Sequence, residues 1–205
     1  MVLPLLLILA GNRMANAQEG ELNAAQQKEL LGIARSAIEN YLSGKKVPDN
    51  VPSDPLLKEN RGVFVTLHRD GALRGCIGSI MPEEPLYLGV RRRAVDSAVH
   101  DPRFRPMTAD ELGKVDIEIS VLSVPKRAAS ADEIVMGKHG VIVKQGFRGG
   151  VFLPQVATET GWTKEQFLSE LCSQKAGLPP DAWKDPSTEL LIFSAQVFGE
   201  KKRGE

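Results

Sequence analysis

Apolar and polar positions along this chain change period often enough to mark out its elements one by one. From Asn23 to Leu42, the residues Leu30, Ala34, Ala37, Ile38, Tyr41 and Leu42 recur at helical spacing behind an asparagine suited to capping, which predicts a first helix. Gly44 and the stretch Val47-Pro48-Asp49-Asn50-Val51-Pro52 end it in a loop. Val63 to His68 is rich in β-branched and aromatic residues and predicts a strand. Arg69-Asp70-Gly71 then predicts a turn, and Ala72 to Ile77 the returning strand. A helix follows over Leu86 to Val99, and the two prolines in His100 to Pro106 exclude a helix there.

Three segments in the second half have the form of a capping box: Thr108-Ala109-Asp110-Glu111, Ser130-Ala131-Asp132-Glu133 and Thr163-Lys164-Glu165-Gln166. The first predicts a short helix. The third predicts a helix carrying Phe167, Leu168, Leu171 and Cys172 that stops at Gly177-Leu178-Pro179-Pro180. Val115 to Val124 alternates as a strand, with Val115, Ile117, Ile119 and Val121 on one face and Asp116, Glu118 and Ser120 on the other. Gly140 to Lys144 and Gly150 to Leu153 predict a hairpin with Gly146 and Gly149 in its loop, and Glu189 to Phe198 a closing strand. Strands broken by helices, with hairpins, predict an α+β architecture around largely antiparallel sheet.

Composition narrows the picture. A chain of 205 residues fits one large domain or two small subdomains sharing a core. With 26 basic and 26 acidic residues the formal net charge is zero, which weighs against a protein built to grip a nucleic-acid backbone and points to a small-molecule or protein partner. Arg91-Arg92-Arg93 reads as a solvated helix face. Cys76 and Cys172 each sit in an apolar stretch and read as reduced thiols. Residues 1–17 stand apart as a dispensable extension, ahead of a single domain of two subdomains over residues 18–205. Val2 to Ala10 is too short for a membrane span, which needs about 20 apolar residues. Two readings are open for it: a signal peptide cleaved near Ala15-Asn16-Ala17, or a start codon placed upstream of a true start at Met14.

The candidate chemistry centres on Leu73-Arg74-Gly75-Cys76-Ile77-Gly78. Strand alternation places Arg74 and Cys76 on one face, and Gly75 and Gly78 indicate a bulge or a close backbone approach. An arginine beside a thiol favours the thiolate, as a nucleophilic or redox cysteine requires. The alternative is a small buried cysteine beside a surface arginine. His139, in Lys138-His139-Gly140, is positioned to act as acid or base if it meets Cys76 in space. His68 reads as solvated near the turn, and His100 as a cation at a helix end. Asp101, Arg103 and Arg105 form either an anion-binding rim or an internal ion-pair clamp. Phe152 to Val156 with Gly161-Trp162 supply either a pocket wall, with Gln155 as its hydrogen-bonding group, or ordinary core packing. No cysteine or histidine spacing suggests a metal site, although Asp96, Asp101, Asp116 and Glu118 could assemble oxygen ligands; no metal or cofactor is predicted.

Six segments taken in order resemble the AMMECR-type domain family, also known as component A of the AmmeMemoRadiSam system. They are LRGCIGS at Leu73 to Ser79, DPRFRPM at Asp101 to Met107, IEISVLS at Ile117 to Ser123, KHGVIV at Lys138 to Val143, FLPQVATETGW at Phe152 to Trp162 and KAGLPPDAW at Lys175 to Trp183. The similarity spans residues 22–199. It implies a two-lobed α+β fold with a cleft between the lobes and LRGCIG at or near it. It further implies association with a dioxygenase-like Memo protein and a radical SAM enzyme, and it favours a start near Met14 and a cytoplasmic location. It brings no established reaction. Two functions are therefore weighed. In the first, a binding or adaptor module presents the cleft to a ligand or to its partner proteins. In the second, a thiol-dependent enzyme uses Cys76 as nucleophile or redox thiol and His139 as acid/base, with Arg74, Gly75, Gly78, Arg103, Glu118 and Gln155 binding substrate. RNA binding is a third and weaker reading. The module is preferred, because no complete catalytic constellation can be read from the residues.

Overall fold

A computed structural model of the chain describes residues 20–200, so the apolar run and the two readings of the N-terminus lie outside the described residues. The chain begins with α1 (Ala24–Leu42), the hairpin β1 (Val63–Arg69) and β2 (Ala72–Ser79), and α2 (Leu86–Val99). It continues through β3 (Val115–Leu122), β4 (Lys126–Arg127) and the hairpin β5 (Gly140–Gln145) and β6 (Arg148–Phe152). Helices α3 (Pro154–Thr160) and α4 (Lys164–Glu170) and strands β7 (Glu189–Phe193) and β8 (Ala195–Gly199) complete it. The strands form two four-stranded sheets, ordered β2-β1-β3-β8 and β4-β7-β5-β6, paired antiparallel and flanked by helices. The fold is thus α+β, with one lobe around each sheet.

The first lobe follows directly from its periodicities. Asn23 accepts from the N–H groups of Ala25 and Gln26 at 2.9 and 3.0 Å, and Gln26 returns the bond to Asn23, completing a capping box at the start of α1. The stripe Leu30, Ala34, Ala37 and Ile38 is buried. It belongs with Val63, Val65 and Leu67 of β1 and Val115, Ile117, Ile119 and Val121 of β3 to the inner face of the lobe. Each fully buried aliphatic side chain there contributes about 1.5–3 kcal/mol. The alternate residues Phe64, Thr66, His68, Asp116, Glu118 and Ser120 stay half-buried on the outer face. Asp70 (φ 51°) and Gly71 (φ 78°) both adopt left-handed backbone in the β1–β2 turn, as a two-residue hairpin turn demands.

The second lobe packs Phe167, Leu168, Leu171 and Cys172 against Val141, Val143, Phe152 and Ile192. Thr163 and Gln166 form the capping box that starts α4, which widens into a π turn at Leu171–Lys175 before Gly177 (φ 63°) ends the segment. Trp162 packs with Phe152 (ring centroids 6.1 Å apart), so the aromatic residues of this segment serve core packing, while Pro154 and Gln155 between them line a cleft. A third cluster, Leu122, Ile142 and Phe193 with Phe64, Val151 and Leu153 against it, joins the lobes.

Four local expectations change, and one helix is unforeseen. The closing strand is two strands, because the chain leaves the second sheet at Ser194 and enters the first as β8. Pro154 opens the unforeseen helix, α3, at the helix position where a missing N–H costs nothing. Gly149 lies within β6, and only Gly146 and Phe147 turn the hairpin. Ser130 accepts from Asp132 N–H, but Glu133 bonds Ala129 N–H, one residue before the cap, around a single 310 turn. Thr108 caps nothing: its hydroxyl donates to Asp110 Oδ1 at 2.6 Å, while Glu111 is drawn inward to arginines, a stronger partner than a solvated N–H. Thr163→Ala is therefore expected to cost about 1 kcal/mol and Thr108→Ala under about half of that; urea unfolding of the two variants measures the difference.

Candidate functional site

β2 is an edge strand, and a side chain at the C-terminal end of α2 and one from the loop that follows it complete its backbone. The Ser97 hydroxyl accepts from Ile77 N–H at 2.9 Å and donates to the Val65 carbonyl at 2.7 Å, so it stands between paired residues of β1 and β2. Asp101 accepts from Cys76 N–H at 2.8 Å. This closeness needs a glycine: a Cβ on Gly75 would overlap the Ser97 carbonyl oxygen, a backbone atom unable to move aside. On the opposite face, a Cβ on Gly78 would overlap the Phe64 ring, which packs on into the cluster joining the lobes.

The alternation that pairs Arg74 with Cys76 does not survive a bulge. Leu67 faces Gly75 and His68 faces Leu73, leaving Arg74 without a partner on β1. Its guanidinium donates to Glu111 Oε2 at 2.7 Å and to the Arg105 carbonyl at 3.1 Å. Burial pushes the Glu111 carboxyl up, but the Arg74 bond and charge outweigh that and hold it below its ordinary value. Arg69 and Arg105 approach the same carboxylate at 3.5 and 3.9 Å.

Arg103, rather than Arg74, is the cation beside the thiol segment. It donates to Asp101 through Nε and Nη2 (3.0 and 2.7 Å) and to the Cys76 carbonyl (3.1 Å). The Arg103 hydrogen bond holds the buried Asp101 carboxyl far below the usual carboxylate range, with the Cys76 and Arg103 N–H groups reinforcing it against desolvation. Asp101 in turn raises Arg103, and the Cys76 thiol adds to that rise. Asp101 and Arg103 therefore form an ion-pair clamp on β2. Cys76 is a half-buried free thiol whose Sγ receives a bond from Thr66 Oγ1 at 3.3 Å. Cys172 is free and fully buried, and burial pushes its thiol up. Glu118 lies in the same cross-strand row as Cys76, with Thr66 of β1 between them.

His139 and Gln155 stand elsewhere. They line a cleft of about 1180 Å³ between the lobes, where Ser123 and Ser194 mark the two chain crossings and hydrogen-bond each other. Val135 N–H donates to His139 Nδ1 at 3.2 Å, leaving the proton of the neutral ring on Nε2. Desolvation and then the charge of Lys138 lower His139, the Glu133 backbone works the other way, and Lys126 lowers it further. Leu73 to Gly78 are absent from this cleft's lining, and no hydrogen bond joins Cys76 to a histidine among the described residues. The structure thus brings Cys76, Arg103 and Glu118 to one sheet, and His139 with Gln155 to the cleft. Asp101, Ser97 and Glu111 are the partners the sequence reading did not place at β2. The prolines around Asp101 were the available signal for the first, and nothing local marks the other two. Among the described residues no three histidine, cysteine or carboxylate side chains converge as metal ligands, and no helix is long and apolar enough to cross a membrane.

A two-lobed fold with a clamped Arg-Gly-Cys edge strand and an open interlobe cleft defines a class, and comparison with known proteins specifies it. The AMMECR1 family model matches residues 31–198, and the chain belongs to this family. A protein of Methanothermobacter thermautotrophicus is 44% identical over 188 residues, covering 87% of this chain and 96% of that protein. One from Methanopyrus kandleri is 44% identical over 192 residues, covering 89% and 92%. The crystal structure of the uncharacterised protein PH0010 from Pyrococcus horikoshii superposes with a TM-score of 0.71 at 42% identity, covering 84% of this chain and 90% of that one.

Two outcomes follow from the clamp. Gly75→Ala is expected to destabilise the protein by about 1–3 kcal/mol, read from urea unfolding, because the overlap is with backbone. Asp101→Asn is expected to cost about 2–3 kcal/mol at pH 7, where charge-assisted bonds are lost. A carboxyl depressed in the folded state stabilises above its unfolded pKa, about 3.9, and that stabilisation fades as pH falls toward the folded value. The gap between wild type and Asp101→Asn should therefore be full above about pH 5 and narrow below about pH 4.

Proposed function

We propose that this protein is a ligand-binding component, not a thiol enzyme, and that the interlobe cleft is its working surface. The observation that carries this reading is the separation of the two candidate centres. Each part of the Arg-Gly-Cys strand has a structural duty: Arg74 balances Glu111, Gly75 admits α2, the Cys76 N–H is bound by Asp101, and Gly78 seats Phe64. The cleft, in contrast, exposes polar side chains, Gln155 and Thr158 of α3 among them, around a volume at or above the roughly 300–1,000 Å³ common for small-molecule sites. The family resemblance supports placing this component in a system with a Memo-like protein and a radical SAM enzyme, to which a bound ligand would be presented.

One observation favours the thiol reading: a half-buried Cys76 whose carbonyl accepts from Arg103, which keeps that guanidinium beside the thiol segment. Genetic complementation separates the two. In cells lacking the gene, Cys76→Ser should restore the wild-type phenotype, whereas Thr158→Trp, which fills the cleft from an exposed helical position, should not. The opposite pattern transfers the function to the thiol. Pull-down of the Memo-like and radical SAM proteins by the wild-type chain tests the proposed company.

A further inference from the structure

The ligand's chemistry can be read from the charges that the cleft leaves without partners. Lys126, from the short edge strand β4, and Lys138, in the turn before β5, are exposed on its wall. Neither makes an ion pair with a described carboxylate, whereas the other cation of the wall, Arg61, is committed to Glu59 and to the Gly20 carbonyl at 2.8 and 2.6 Å. Glu21 is the one acidic side chain of the lining among the described residues. A chain with no net charge thus places on the wall of this cleft two ammonium groups that have no ion-pair partner among the described residues. Val124 and Val197, 58% and 46% exposed, line the same space and offer an apolar surface.

Resting on the reading of the cleft as a ligand site, we infer that it takes a small organic anion with at least two phosphate or carboxylate charges, held by Lys126 and Lys138. Two ammonium groups on different elements that face one cavity repel each other, and a polyanion relieves that repulsion where a monoanion leaves one charge unmatched. The same two charges reach His139, which both of them depress. The cleft residues contributed by α3 and the β7–β8 crossing, Gln155, Thr158 and Ser194 among them, are uncharged. An anion bound between the lysines therefore reverses the field on His139 and raises its pKa.

The test is an NMR titration of the full-length protein with pyrophosphate and, separately, citrate, at constant ionic strength against sodium chloride. Saturable shifts at Lys126, Lys138 and His139, with an upward move of the His139 pKa, are expected from at least one probe. Pyrophosphate alone assigns phosphate chemistry, and citrate alone carboxylate. The Lys126→Gln, Lys138→Gln double variant should bind at least about tenfold more weakly, as the loss of two solvent-accessible charge contacts implies. Both side chains are exposed, so an unchanged unfolding midpoint is expected of that variant. Shifts no larger than those from sodium chloride with both probes, or equal binding by the double variant, would overturn the anion assignment. Either result leaves the cleft reading standing so long as Thr158→Trp fails to complement, and that reading falls separately if Thr158→Trp complements.

Discussion

Edge strand β2 has at Cys76 a backbone N–H that no further strand can satisfy and the Asp101 carboxylate does, while the Ser97 hydroxyl bridges Ile77 N–H to the Val65 carbonyl of β1. An unpaired buried N–H costs about 1–3 kcal/mol, so this closure is a condition for the first sheet to form as it does. Everything around it follows. The helix must approach within backbone contact, which requires Gly75. The loop after the helix must hold Asp101 charged, which requires Arg103, and prolines at 102 and 106 restrict that loop to non-helical backbone. The bulge at Arg74 then turns its guanidinium away from the thiol and toward Glu111, near Arg69 at the end of β1.

Seen this way, the most conspicuous motif of the chain acts as a joint. Its inner face receives α2, and its outer face receives Phe64, the residue through which the first sheet touches the cluster shared with the second lobe. Phe64 thus connects β2 to the lobe junction by direct packing. The cleft is bounded instead by the chain crossings at Ser123 and Ser194, where neither sheet extends. Among the described residues, the exposed Lys126 and Lys138 make no ion pair there, and the desolvated His139 stands within reach of their charge.

The legibility of the site differed sharply between its parts. Gly75 and Gly78 were readable as places of close approach, because a glycine inside a β-pattern has few other reasons to be there. What approaches them was not readable, since Ser97 and Phe64 look like an ordinary helix serine and strand phenylalanine. The Asp101–Arg103 clamp was visible as an alternative, its residues two apart on a constrained loop. Pairing Cys76 with Arg74 by alternation failed because one bulge shifts a side chain without any local signature. Likewise, Glu111 has the spacing of a capping glutamate, and only burial beside arginines diverts it.

By itself, the sequence determined the α+β class, the helix and strand periods, the capped start of α1 and α4, and the turn at Arg69-Asp70-Gly71. These depend on neighbours within a few positions, where propensity and pattern act. Tertiary structure alone decided that the last strand divides between two sheets at Ser194, that Arg103 and not Arg74 attends Cys76, and that His139 faces a cleft away from the thiol. Each of those outcomes turns on which distant segments desolvate one another, a property of packing that no run of local residues encodes.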